Sequence, residues 1–459
     1  MTYDRYPKAT LEAWDDQHVW HPFTPHSLYR DESPLLVVAG DGNYVIDHEG
    51  RRYLDGVASL WCNAFGHRHP HLDAALRAQM ERIAHATMLG NATEPAIILA
   101  KRLADLAPEG LRRVFYSDNG STAVEIALKM AYQLRVQHPD PAQQRKTRFI
   151  ALRNAYNGDT IGSVSVGGID LFHGKFKALL FDVLHGPSPY CYRCPLGKER
   201  RTCGTACLEQ TLQLIEDHAS EVTAVILETG MQGAAGILPL PEGFLRRVRE
   251  VTRRHDVLLI LDEVATGCGR SGTFFACAQE DVAPDFLCVA KMLTGGYLPL
   301  AATLTTEQVF RGFLGAASEA RTFYHGHTFT GNPLGAAVAL AALDLHERED
   351  GAGDLGAKIA HLQHALSRLH GIPGVGDVRA YGLCAGIELV HDRATKTPFT
   401  ADRRAGMRVC LRAREHGIFL RPLGDVIVLM PPLSITLDEI DHLVDGLAAS
   451  LREELRDAT

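Results

Sequence analysis

Across residues 114–290 short apolar runs alternate with longer stretches whose apolar residues recur at helical spacing. The runs lie at 114–116, 149–152, 224–228, 257–262 and 286–290. Each is too short to cross a membrane and suits a strand buried on both faces. Strand and helix in strict alternation point to an α/β fold, a mostly parallel, doubly wound sheet with helices on both sides. In such sheets ligands bind beyond the carboxyl ends of the strands. The residues that close the runs are therefore the first candidates for chemistry, and they include Glu228, Asp262 with Glu263, and Lys291.

The flanks have a different texture. Residues 35–38 and 43–47 read as a hairpin around Gly40-Asp41-Gly42. Beyond Arg348 a charged loop, helices at 355–370 and 402–416, and strands at 375–380, 384–389 and 426–429 read as α+β. A chain of 459 residues exceeds one domain of roughly 150 residues. The expected organisation is an N-terminal segment, 1–70, joining a small C-terminal α+β domain, 346–459, around a large domain, 71–345. A net charge of −8 without a long basic run argues against nucleic acid as a partner. No segment reaches about 18 consecutive apolar residues and MTYDRYPKATLEAWDD is no secretory leader, so a soluble, cytoplasmic protein without a membrane partner is expected.

Several motifs bear on chemistry. Ser117-Asp118-Asn119-Gly120-Ser121-Thr122 joins a strand to a helix that carries Glu125, an arrangement that aims free backbone N–H groups at an anion. The same residue types also make an ordinary N-cap. Tyr156 follows a strand beside a glycine turn, where a ring covers a flat heterocycle or simply packs in the core. Lys291 as a Schiff-base amine, with Asp262 facing a pyridine nitrogen, makes pyridoxal phosphate the working hypothesis. GCGRSG at 267–272 matches a dinucleotide fingerprint, but TFFACAQE after it opens no long helix, and Asp262 and Glu263 just before it repel a pyrophosphate. Cys191, Cys194, Cys203 and Cys207 have spacings that suit a structural zinc site, with reduced thiols in a surface excursion as the alternative. The six remaining cysteines sit in apolar surroundings and read as small buried thiols.

Taken in order, WHPFT, SDNGSTAVEIALKMA, NAYNGDTIGSVSVG, LDEVATG, AKMLTGGYLPLAATLTT, HGHTFTGNP and LRPLGDVIVLMPP resemble the landmarks of the class III, or ω, aminotransferases of pyridoxal-phosphate fold type I. The resemblance runs along nearly the whole chain. It is nearest to the biotin-pathway branch, which converts 8-amino-7-oxononanoate into 7,8-diaminononanoate. It implies that Lys291 carries the cofactor and moves the proton, that Asp262 holds the pyridine nitrogen protonated, and that Tyr156 stacks on the ring. Gly120 and Ser121 would hold the phosphate, with Thr328 reaching it from a second subunit of a homodimer whose active sites lie at the interface. Glu228 and Asp159 would support the pocket. For the small-molecule substrates, Trp61 would wall the channel, Gly326 and His327 would lie beside it, and Arg421 would clamp a distant carboxylate. The chain departs from many relatives in having Asn157 after the stacking tyrosine and Cys268 in TGCGRSG. Phe23 stands where branch members using S-adenosylmethionine often carry tyrosine, which leaves the amino donor open between S-adenosylmethionine and lysine. Another ω-aminotransferase, acting on a diamine, β-alanine or 4-aminobutyrate, is the alternative.

Overall fold

A computed structural model of the chain describes residues 6–348 and 351–456; positions 1–5, 349–350 and 457–459 of the expected terminal segments lie outside it. At its centre a seven-stranded sheet runs in the order Leu111–Ser117, Ala301–Thr306, Phe286–Val289, Leu258–Asp262, Val222–Glu228, Arg148–Leu152, Val183–Gly186. The last five strands pair in parallel. Every residue of Val222–Glu228 and Phe286–Val289 is buried, as continuous apolar runs demand when helices cover both faces. Each fully buried Leu or Ile of these strands contributes about 1.5–3 kcal/mol.

One strand opposes the rest. Ala301–Thr306 pairs antiparallel with both neighbours, Phe286–Val289 and Leu111–Ser117. Its reversal is made possible by Gly295 and Gly296, at φ 62° and 86°. A Cβ on Gly296 would lie 2.7 Å from the Cys62 carbonyl oxygen, so only glycine passes there. The helix Gly120–Val136 packs over this part of the sheet, its Ala123 carbonyl accepting from the Thr303 hydroxyl at 2.8 Å.

The expected hairpin forms as Val37–Asp41 and Tyr44–Asp47, joined to Arg52–Asp55. This sheet is completed from the far end of the chain, by Ile418–Phe419 in parallel with Arg52–Asp55. The Leu54 N–H donates to the Gly417 carbonyl at 2.8 Å, and the Asn43 amide donates to Glu439 at 2.7 Å. A third sheet of Val375–Ala380, Ala385–Leu389, Val426–Leu429 and Arg421–Leu423 is wholly antiparallel. No described helix is long and apolar enough to cross a membrane.

Candidate active site

The parallel register sets Asp262 opposite Glu228 on one side and opposite Cys288 on the other. Lys291 follows Cys288 by three residues and opens a short 3-10 turn with its own φ at 46°. The strand ends thus deliver two carboxyls and an amine to one cavity of about 460 Å³. Asp262 is 6% exposed; one of its oxygens accepts from the Val264 N–H at 2.9 Å. Glu228 accepts from the Tyr156 N–H at 3.0 Å and the Gly233 N–H at 2.8 Å.

Burial controls the titration of all three. It pushes the Asp262 carboxyl up to about 6, against the opposing pull of the Val264 N–H and of Lys291. It pushes Glu228 up to about 8, helped by the neighbouring charge of Asp262. The Lys291 amine is drawn down, burial outweighing the attraction of both carboxyls. A lysine so placed is both a nucleophile and a base near neutrality. For Glu228 the folded chain holds its proton more tightly than the unfolded chain, whose carboxyl titrates near 4.5. Its contribution to stability is full below that value and is lost as the pH rises through about 8. Glu228→Gln sacrifices one acceptor, so the cofactor-free variant melts below the parent at pH 5. The gap is expected to narrow by about 3 °C or more by pH 8, as only the parent loses this term. Calorimetry across that range checks it, and a constant gap would refute it.

The anion cradle lies at the opposite wall. Asn119 caps the helix Gly120–Val136, its side chain accepting from the Thr122 N–H while the Thr122 hydroxyl accepts from the Asn119 N–H. The N–H groups of Gly120 and Ser121 have no acceptor within the helix and line the cavity. Glycine is required beside them, because a Cβ on Gly120 would strike Val264 at 2.5 Å and one on Gly158 would strike Ser121 at 2.1 Å. Glu125, two turns into the site, accepts from the Thr160 hydroxyl at 2.7 Å and ties down the loop that carries Tyr156.

Trp61 enters on a feature the sequence did not announce. Ala58, Ser59, Leu60 and Trp61 all have positive φ, from 47° to 76°, without a glycine among them. At about 1–2 kcal/mol per residue such a left-handed turn persists only when held. Asp55, 0% exposed, accepts from the Ser59 hydroxyl at 2.7 Å, and the Trp61 N–H donates to the Val57 carbonyl at 2.7 Å. The turn brings the Trp61 ring to 4.8 Å from Lys291 Nζ.

Of the residues singled out in the sequence, Lys291, Asp262, Tyr156, Glu228, Gly120, Ser121 and Trp61 line the one cavity. Asp159 stands behind, accepting from the Tyr156 hydroxyl at 2.8 Å. Phe23 lies further out, edge-on to Phe172, which is itself edge-on to Tyr156. Gly326, His327 and Thr328 do not line the cavity; Gly326 and Thr328 are exposed, and His327 pairs with Asp118 of the cavity wall at 2.8 Å. Arg421 is also outside the lining, but it is the cross-strand partner of Val428, which packs in one cluster with Trp61. Sequence reasoning passed over Leu60, Met231 and the 298–300 segment, all of which line the site as ordinary apolar residues.

The zinc expectation finds no support. Among the described residues no group of three or more His, Cys, Asp or Glu side chains is arranged to hold a metal ion. Cys191, Cys194, Cys203 and Cys207 are free thiols around a narrow pocket, and burial raises the Cys191 and Cys207 thiols. The excursion is instead held by Glu388, which accepts from the Tyr190 hydroxyl and the Arg193 guanidinium at 2.6 Å each.

The features that pyridoxal phosphate requires are present together. A half-buried amine has no hydrogen-bond partner of its own, a carboxylate faces the cavity, and a helix N-terminus is cleared by two glycines. Comparison with known proteins agrees. Residues 28–451 match the family model described as aminotransferase class-III. The adenosylmethionine-8-amino-7-oxononanoate aminotransferase of Geobacter sulfurreducens is 54% identical over 447 residues, 97% of this chain and 98% of that one. The crystal structure of the enzyme of that name from Methanocaldococcus jannaschii is 46% identical, with a TM-score of 0.92 over 98% of this chain and 100% of that one. An amine transaminase from an uncultivated Pseudomonas species, solved in its pyridoxal-phosphate-bound form, is 36% identical, with a TM-score of 0.86 over 95% of this chain and 99% of that one. The chain belongs to the class III aminotransferases, pyridoxal-phosphate enzymes of fold type I.

Proposed function

We propose that the protein transfers an amino group to 8-amino-7-oxononanoate, forming 7,8-diaminononanoate for biotin synthesis, with S-adenosylmethionine as donor and lysine as the rival donor. The observation that carries the chemistry is the meeting of Lys291, Asp262 and the Gly120-Ser121 cradle in one cavity. The choice of substrate is supported by relatives matched over nearly their whole length and named for that reaction.

Pyridoxal phosphate, when bound, supplies an electron sink that stabilises negative charge at the substrate Cα. Gly120 and Ser121 would bind its phosphate through N–H groups at the positive end of a helix. Asp262 would keep its ring nitrogen protonated, and Tyr156 would cover the ring. Lys291 Nζ, its proton affinity lowered by burial, would take the proton from Cα and return it on the other side of the reaction. Trp61 excludes water from above Lys291. Arg421 meets the far carboxylate of the keto acid from the strand beside the Trp61 cluster.

We assign the soluble protein to the cytoplasm and read it as a homodimer. Met80, Ile83, Leu89, Ile97 and Phe329 are large apolar side chains left exposed on one chain, and Thr328 precedes Phe329 in sequence. In this reading a second copy covers them and its Thr328 reaches the cavity. The division into 1–70 with 346–459, and 71–345, accords with the sheets described above.

A half-reaction panel tests the substrate reading. Mixing the holoenzyme with S-adenosylmethionine, lysine, putrescine or β-alanine is expected to convert the cofactor to its amino form with one of the first two. Conversion by β-alanine or putrescine alone would reject the biotin-pathway reading in favour of another ω-aminotransferase.

A further inference from the structure

The left-handed turn at Ala58–Trp61 is part of the cavity wall, because Ser59, Leu60, Trp61 and the following Cys62 all line it. Asp55 lies beneath the turn, outside the lining and 0% exposed. Its Oδ2 accepts from the Ser59 hydroxyl at 2.7 Å and faces His67 Nε2 at 3.4 Å. Among the described residues its Oδ1 has no hydrogen-bond partner.

A carboxylate without exposure is a costly way to hold one serine. Asparagine has the same shape and would also accept from the hydroxyl. What the charge adds is strength, since a hydrogen bond to an ionised acceptor is roughly twice as strong as a neutral one. The turn explains why strength is needed. Ser59 and Leu60 sit at φ/ψ of 50°/43° and 76°/52°, and steric repulsion at their Cβ atoms drives both towards the right-handed region. The base of the turn cannot follow them. The Gly56 N–H donates to the Phe419 carbonyl at 3.0 Å, and the Gly56 carbonyl accepts from the Met430 N–H at 2.8 Å. Relaxation would therefore fall on the residues that lead to Trp61 and carry its ring away from Lys291 Nζ, now 4.8 Å from it. Met231, Val428 and Met430 pack with the ring once it has arrived, but the backbone at Ser59 and Leu60 delivers it.

We propose that Asp55 is a positioning residue that keeps the Trp61 ring over Lys291 by holding Ser59 in its left-handed conformation, and so limits how far solvent and small nucleophiles reach the cofactor-bearing nitrogen. The inference rests on the reading of Lys291 as that amine. It gives a function in the reaction to a carboxylate that lies outside the cavity.

Hydroxylamine tests this on the holoenzyme without any substrate. It takes the place of Lys291 on pyridoxal phosphate, freeing the lysine amine and the cofactor oxime, and the loss of the visible band measures access to that nitrogen. Trp61→Ala and Ser59→Ala are each expected to speed the loss by about fivefold or more. Ser59 is exposed, so its hydroxyl can be removed without opening the core. Asp55→Ala is expected to match Ser59→Ala. In S59A/W61A the rate should stay within about twofold of W61A alone, because the hydroxyl acts through the ring. The parent rate in S59A or D55A would mean that packing alone holds Trp61, and the parent rate in W61A that the ring covers nothing. Effects that multiply in the double variant would mean that Ser59 acts elsewhere. Each of these results overturns the proposal. If D55A does not fold, S59A and its cycle with W61A decide alone. Absence of a visible band in the parent protein would instead refute the reading of Lys291 itself.

Discussion

Lys291→Ala is expected to lower kcat for transamination by about 10⁴-fold, the upper end of what one acid–base group contributes. Among the described residues Lys291 is the only cationic side chain lining the cavity, so no second amine stands ready to replace it. Nor does the fold depend on it. Its Nζ makes no hydrogen bond in the structure, and its burial among carboxyls is an electrostatic expense that alanine removes. The variant should therefore melt close to the parent, bind pyridoxal phosphate without the visible band of a lysine adduct, and turn over at background. Steady-state kinetics with an absorption spectrum check this. Activity within tenfold of the parent would rule out Lys291 as the proton carrier.

Asp262→Asn comes next in size, with an expected loss of about 10²–10³ in kcat, the range for removing one preorganised electrostatic contact. The substitution keeps shape and keeps an oxygen for the Val264 N–H, so what it removes is charge. In the cofactor-free protein Asp262 titrates near 6 because it is buried. Below that pH the carboxyl is neutral and has nothing to hold a ring N–H⁺. The parent's affinity for pyridoxal phosphate is accordingly expected to weaken as the pH falls below 6, whereas that of D262N stays flat over the same interval. Equilibrium dialysis of both proteins between pH 5 and 8 measures it. Parallel curves for the two would dissociate Asp262 from the cofactor.

Much of this site could be read before any coordinates, for a physical reason. Parallel strands buried on both faces are continuous apolar runs, so their ends are marked by the first polar residue, and those ends are where such sheets bind ligands. Glu228, Asp262 and Lys291 were legible on that rule, and Gly120 and Ser121 on the rule for helix N-termini. Other parts obey no local rule. Four successive left-handed residues at Ala58–Trp61 contradict their own propensities and are explained only by Asp55 and the surrounding core. The GCGRSG motif is local, while the partners of its Arg270, Leu383 and Pro431, lie more than a hundred residues away. The cysteine spacings met a necessary condition for zinc, but among the described residues no group of side chains is arranged to hold a metal ion. Thr328 lies outside the cavity lining of its own chain, and no pattern within one chain locates what a residue so placed meets.

The parallel pairing of Arg52–Asp55 with Ile418–Phe419 also bears on how the enzyme is made. Synthesis proceeds from the N-terminus, and domains generally fold as units when their residues have emerged. The central sheet, whose last strand in sequence is Ala301–Thr306, is complete while most of the last third of the chain is still to be synthesised. The first three strands, by contrast, wait for a partner more than three hundred and fifty residues downstream. Trp61, reached directly from Arg52–Asp55 and packed against Val428, is among the last walls of the cavity to be seated. A nascent chain thus holds Lys291 on a finished scaffold with its cover missing, and competence for catalysis arrives with the C-terminal strands rather than with the catalytic residues.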